Sequence, residues 1–277
     1  MNIGKYKNHL AESKTVVLTT AEQAQSEVVL PVFGDIAGFI VDISVSATGT
    51  LSSAQTIEKA IKTLIVKDKS GNTLLQNIRG SDLLFLERYR TKGRSRTIPT
   101  VGASAGVESF FLPLNVEKAN QEAKLQISIA PYSDLATSGA TGGSITYSMY
   151  ALYYDSTEKV GTEQIRRISK TVASGSNSFG IDLPKGLWIN NVLFKVTTEA
   201  NYSDIRFSGD GNKELDNVKL RYLTAHDNAL LIDGHVTGEF SLYNAPFFST
   251  PAVIFDVNAG TADAMQIFTI SEYAPSK

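Results

Sequence analysis

The residues whose types and spacing could do chemistry fall in a few places, and each also has a plain structural use. Gly102-Ala103-Ser104-Ala105-Gly106 has the G-x-S-x-G spacing of a nucleophile elbow, where a tight strand-to-helix turn presents a serine to a histidine and an acid. Here it follows Pro99 in a Thr/Ala/Gly/Ser stretch with no helical pattern behind it, so it reads as a flexible loop. His226, Asp227, Asp233, His235 and Glu239 form the one cluster of imidazoles and carboxylates. Such donors suit a metal ion, but their spacing matches no zinc signature. Asp233-Gly234 reads there as a hairpin turn and His226 as a surface residue. Asp68-Lys69-Ser70-Gly71-Asn72 and Asp210-Gly211-Asn212 lack the twelve-residue register and closing glutamate of an EF-hand and read as turns. A glycosidase needs two carboxylates facing one cleft. Glu108, Glu239 and Asp42 are available but form no motif. The expectation is therefore no catalytic residue, no cofactor and no metal.

One cationic pattern stands out. Arg88, Arg90, Lys92, Arg94 and Arg96 place five cations in nine residues at period 2. An extended segment would put them on one side, suited to an anionic partner, while a solvated loop is the plain alternative. Lys5 and Lys7 add charge near the start, within residues 1–14, which read as a short arm or a frayed terminus.

Composition narrows what could position such groups. The 277 residues carry 26 Lys and Arg against 28 Asp and Glu, a net charge of −2. That balance is unlike the basic excess of a general nucleic-acid binder. There is no cysteine, which removes disulfides and thiolate chemistry. No apolar run follows Lys5 and Lys7, so no signal peptide is expected. Ile36–Val45, the most apolar stretch, is broken by Asp42 and is too short for a membrane span.

Strand patterns dominate. Thr15–Thr19, Glu27–Val32, Phe39–Val45, Ala60–Asp68, Glu108–Leu114, Lys124–Ala130 and Ser144–Tyr154 are rich in β-branched and aromatic residues. In the last, Ile145, Tyr147 and Met149 alternate with polar neighbours, as in a half-buried strand. Gly/Ser-rich segments such as Ser138–Gly143 separate them. Brief helices are expected at Ser53–Lys59 and at Leu83–Lys92, the latter capped by Ser81-Asp82 and stopped by Gly93. Trp188, between Leu187 and Ile189, reads as a core residue. Asn201-Tyr202-Ser203 matches a glycosylation sequon by pattern alone. The charged stretch around Ser156–Ser169 reads as a linker.

An internal repeat organises these elements. Ile65–Ile78 aligns without a gap on Ile205–Val218, an offset of 140, with five of 14 positions identical, including Gly71/Gly211 and Asn72/Asn212. Both copies read as strand, tight glycine turn and return strand. Flanking features keep their order. Leu30-Pro31 matches Leu183-Pro184, an offset of 153, and Glu108–Phe110 resembles Glu239–Ser241. Lys124–Ser128 parallels Ala252–Asp256, and Ile145–Tyr153 parallels Met265–Tyr273. A long unit occurring twice is not a solenoid of short repeats. The predicted fold is all-β, two tandem eight-stranded antiparallel jelly rolls with a few short helices, an immunoglobulin-like sandwich being second choice. The predicted layout is an arm at 1–14, a first roll at 15–155, a linker at 156–168 and a second roll at 169–277.

At this point the sequence resembles the double jelly-roll major capsid proteins of tailless icosahedral viruses with an internal membrane, the small corticovirus-type coat above all. The resemblance is carried by Ala60–Gly71, Leu74-Leu75, Ser81-Asp82-Leu83-Leu84 and Glu87, with the basic tail Arg88–Arg96. It implies a virion protein, made in the host cytoplasm, without enzymatic activity. It also implies homotrimers forming pseudo-hexagonal tiles, then a capsid lattice with vertex and minor capsid proteins. The arm and the basic segment would meet an internal membrane, packaged nucleic acid or a neighbouring subunit. Two other readings stay open: a tandem jelly-roll enzyme acting on glycans, and a carbohydrate-binding surface module.

Overall fold

The in–out alternation of the sequence becomes a burial pattern along paired strands. The computed structural model describes residues 6–49, 56–93, 96–100, 107–118, 122–135, 140–154, 160–181, 187–209, 212–243, 247–248 and 253–273. Two compact units divide the chain between Gln164 and Ile165, with Lys92–Ser95 assigned to the second.

The first unit contains β1 (Tyr6–Val17), β2 (Gln23–Ala24), β3 (Val28–Val29), β4 (Ile36–Gly49), β5 (Ile61–Lys67), β6 (Thr73–Ile78), α1 (Gly80–Thr91), β7 (Val107–Val116), β8 (Lys124–Ile129), α2 (Tyr132–Leu135) and β9 (Ala140–Tyr154). One sheet runs β1-β9-β4-β7 and the other β2-β8-β5-β6, with β3 also on β8. Antiparallel registers set apolar side chains opposite one another, as in Val41↔Met149, Val41↔Phe110 and Leu64↔Ile127. Phe39, Val41, Ile43, Leu64, Phe110, Leu112, Ile127, Tyr147 and Met149 are all buried. Each contributes roughly 1.5–3 kcal/mol of transfer free energy.

The second unit contains β10 (Thr162–Val172), whose first three residues belong to the first unit, β11 (Gly175–Ile181), β12 (Trp188–Val196), β13 (Tyr202–Gly209), β14 (Asn212–Lys219), α3 (Leu220–Leu230), β15 (Glu239–Tyr243), β16 (Phe247–Phe248), β17 (Val253–Ala259) and β18 (Asp263–Tyr273). Its sheets run β15-β12-β18-β10 and β11-β17-β13-β14, with β16 beside β12. Ile189, Val192, Phe194, Ile205, Phe240, Val257, Met265 and Ile267 share one buried cluster.

The two units have the same strand order. β1, β9, β4 and β7 correspond to β10, β18, β12 and β15, and β2, β8, β5 and β6 to β11, β17, β13 and β14. The repeated segments are the equivalent hairpins, pairing Leu64↔Ile78 in one and Ile205↔Val218 in the other. Gly71 takes φ 87 at the first turn, where a Cβ is disfavoured. Asp68 closes that turn, accepting from the Asn72 backbone at 2.8 Å and the Asn72 side chain at 2.8 Å. The fold is all-β, two tandem jelly rolls with short helices.

Several elements differ from the sequence reading. Tyr6–Lys14, expected in an arm, is strand, because β1 pairs with β9 from Tyr6↔Tyr154 to Val17↔Ser144, apart from a bulge at Ala11. Most of the expected linker is β10. The apolar period that would reveal it is interrupted by Arg167, which lies on a buried position. α1 begins at Gly80, with Asp82 Oδ2 accepting from the Arg79 backbone at 2.9 Å. It ends at Thr91, and Lys92, not Gly93, takes the left-handed turn that stops it, at φ 52. The short helical turn is Ile57–Ala60. α3 was not anticipated, although the offset of 140 carries Gly80 onto Leu220, its first residue. Asp233-Gly234 turns the chain after this helix, the Gly234 backbone donating to the Leu231 carbonyl at 3.1 Å. Trp188, expected in the core, is 46% exposed, because β12 turns that position outward.

Candidate functional site

The basic segment is distributed, not gathered on one face. Arg88 points into the first roll and is 2% exposed, its guanidinium 5.7 Å from the Tyr89 ring. Arg90 Nη2 donates to both oxygens of Glu163, at 2.7 and 2.6 Å. The Asn115 backbone N–H adds a bond to Glu163 at 2.8 Å. Arg96 Nη2 donates to Glu87 at 2.9 Å and to the Ser109 carbonyl at 2.5 Å. Its Nη1 pairs with Glu108, and the group sits 5.0 Å from the Phe110 ring. Helix α1 explains the parting of Arg88 from Arg90: its pitch turns alternate residues to different sides, so a period of 2 in sequence is not a single face. Lys92 is exposed, and Arg94 lies outside the described residues.

Glu163 is the residue that sequence reasoning missed. It sits at the start of β10, is 4% exposed at its side chain and anchors Arg90 from 73 positions away. Thr162 Oγ1 takes the Glu117 N–H at 3.1 Å, and Gln164 Nε2 donates to the Thr73 carbonyl at 2.6 Å. No local pattern marks such pairings.

Near the start of the chain, Lys7 is exposed on β1, and Lys5 lies outside the described residues. Lys7, Asn8, His9, Phe33, Tyr153 and Tyr154 line a groove of about 660 Å³. His9 and Phe33 have ring centroids 4.7 Å apart, and Phe33 meets Tyr153 edge-on at 5.5 Å. The Tyr153 hydroxyl donates to the Pro31 carbonyl at 2.7 Å, and burial pushes its pKa up to about 12. Phe33 itself is 58% exposed, so this groove offers an aromatic contact surface.

The His/acid cluster of the sequence is partly brought together in the second unit. His235 Nε2 lies 2.9 Å from Glu199 Oε2, and Nδ1 lies 3.8 Å from Asp227 Oδ2. Its ring packs 4.8 Å from Phe240. Glu199 also takes the Gly238 N–H at 2.8 Å, and the fully buried Asp227 takes the Ser241 N–H at 3.2 Å. Glu239 pairs instead with Lys195 at 3.4 Å, and His226 is half exposed. Both imidazole nitrogens face carboxylates, so the arrangement clips a loop and α3 to β15 and presents no base to a nucleophile. Among the described residues no His/Asp/Glu group is arranged to hold a metal. Residues 101–106, with the G-x-S-x-G match, lie outside the described residues. Glu108 and Glu239, two of the carboxylates available to a glycosidase reading, belong to different units and are each held by a cation.

Comparison with solved structures identifies the architecture. The major capsid protein of Sulfolobus Turreted Icosahedral Virus, STIV, aligns over 98% of this chain and 98% of its own, with a TM-score of 0.70 and 14% identity. The major capsid protein of bacteriophage PM2 aligns over 96% and 99%, with a TM-score of 0.55 and 16% identity. PBCV-1 VP54, fitted into a reconstruction of the virophage Sputnik, aligns over 96% and 93%, with a TM-score of 0.60 and 8% identity. No family model and no curated protein matches the sequence. The chain has the double jelly-roll fold of virus major capsid proteins.

Proposed function

We propose that this chain is the major capsid subunit of a virus, a structural protein that works by association and not by catalysis. The observation that carries the reading is the identical strand order of two sandwiches in one chain, joined to a full-length likeness to capsid proteins. Three copies of a two-roll chain supply six similar units around a three-fold axis, a pseudo-hexagonal tile suited to flat icosahedral facets. Closed symmetric assembly also covers surface that a monomer leaves open. Other proteins would occupy the five-fold vertices, and minor capsid proteins or an internal membrane would meet the inner side. Lys92, Arg94, Lys5 and Lys7 are the cations proposed for such inner or inter-subunit contacts. Arg88, Arg90 and Arg96 serve the first roll itself.

The test is the native mass of the purified protein, followed by imaging of concentrated samples. A species of three 30.0 kDa chains, progressing to larger shells or sheets, is the expected result. A protein that remains a monomer at all concentrations and salts would overturn the proposal.

A further inference from the structure

The first unit has one sheet edge covered and another open. β6 ends the sheet β2-β8-β5-β6, and the residues leading β10 run along it. There Gln164 Nε2 donates to the Thr73 carbonyl at 2.6 Å. β1 ends the other sheet, its twelve residues paired with β9 apart from the bulge at Ala11. Among the described residues no strand pairs its far side, and Lys7–Thr15 are exposed or half-buried. In the second unit β14, the counterpart of β6, pairs with β13, again with no described strand beyond it. A long open edge presents unpaired N–H and C=O groups, a template for another strand.

The repeat makes these edges complementary. β1 is the counterpart of β10, and β14 is the counterpart of β6, so every copy carries the counterparts of the seam that Gln164 and Thr73 make within the first unit. We infer that the seam is repeated between copies, with β1 of one copy laid along β14 of the next. This rests on the self-assembling reading proposed above and names the surfaces that carry it. Such a contact joins two different patches, so it propagates from copy to copy and closes where the rotation allows. The repeat also predicts which residues meet. Thr73, carried by the offset of 140, falls on Lys213, and Gln164, carried back by the offset of 156 that aligns Ser13–Val16 with Ser169–Val172, falls on Asn8.

The absence of cysteine makes the test direct. Asn8→Cys and Lys213→Cys proteins, each melting as the parent does, are mixed under mild oxidation. Leu10→Cys, at an exposed position two residues along, replaces Asn8→Cys should the latter melt early. The control partner is Ser176→Cys on β11, the opposite edge of the β14 sheet. The Asn8/Lys213 mixture is expected to give a disulfide-linked species of twice the 30.0 kDa chain, about tenfold faster than the control mixture, because proximity raises effective concentration. Association of the copies with no preference over the control sinks the seam and leaves the capsid reading standing. A protein that stays monomeric sinks both.

Discussion

Glu87 and Asp227 stand 140 positions apart and hold equivalent places, each seven residues into the helix that precedes the equivalent strands β7 and β15. Glu87 Oε2 accepts the Phe111 backbone N–H at 3.3 Å, and Asp227 Oδ2 accepts that of Ser241 at 3.2 Å. Each carboxylate ties its helix to the strand that follows. The two differ in setting, because the Glu87 side chain keeps 24% of its exposure and Asp227 keeps none.

That difference predicts unequal costs. Asp227→Ala leaves a buried N–H without its acceptor and should cost about 3 kcal/mol. Glu87→Ala should cost about 1 kcal/mol, since water can reach the site. Urea unfolding of the two variants measures both, and equal costs would falsify the equivalence-with-burial account.

Arg90 and Glu163 form a partly buried charge pair. Glu163→Ala should destabilise the first unit by about 3 kcal/mol, because it strands a guanidinium with little water around it. The double variant Arg90→Met/Glu163→Leu should recover most of that loss. Thermal melts decide the matter, and strictly additive costs would show that the two do not act as a pair.

Gly80 starts α1 where a methyl group would collide with the Glu58 carbonyl oxygen and lie 2.9 Å from the Ile61 carbonyl oxygen. Both obstacles are backbone and cannot rotate away. Gly80→Ala should therefore lower stability by roughly 2–4 kcal/mol despite alanine's better helix propensity. A melting temperature at or above the parent's would contradict this.

Tyr153 predicts behaviour in alkali. Burial raises its pKa from 10.0 to about 12, so the folded state favours the neutral phenol. Its contribution is fully present below pH 10 and is lost as pH rises through about 12. Tyr153→Phe should flatten this alkaline limb while losing the bond to Pro31, about 1 kcal/mol, at neutral pH. Stability measured against pH for both proteins checks it, and an unchanged alkaline slope would count against the assignment.

Much of the architecture was legible because its signals are local or repeated. Period-2 alternation at Ile145, Tyr147 and Met149 marks β9, and all three are buried. The repeated Gly-Asn turn marks the two equivalent hairpins, and the order of flanking features anticipated the shared strand order. The candidate site was less legible. Glu163 lies in a charged stretch that reads as a linker, and Trp188 sits among apolar neighbours yet faces outward. The five cations at period 2 suggested one face, but a helix through Thr91 turned Arg88 inward and sent Arg90 to Glu163.

The amino-acid sequence by itself determined the strand-rich class, the duplication and the tight turns, since these depend on residues near one another or on copies of one pattern. Tertiary structure alone decided which acid meets which cation, which strands form edges and which apolar side chains stay exposed. Those outcomes depend on pairings across tens of residues, and a local pattern carries no record of the partner that the folded chain brings to it.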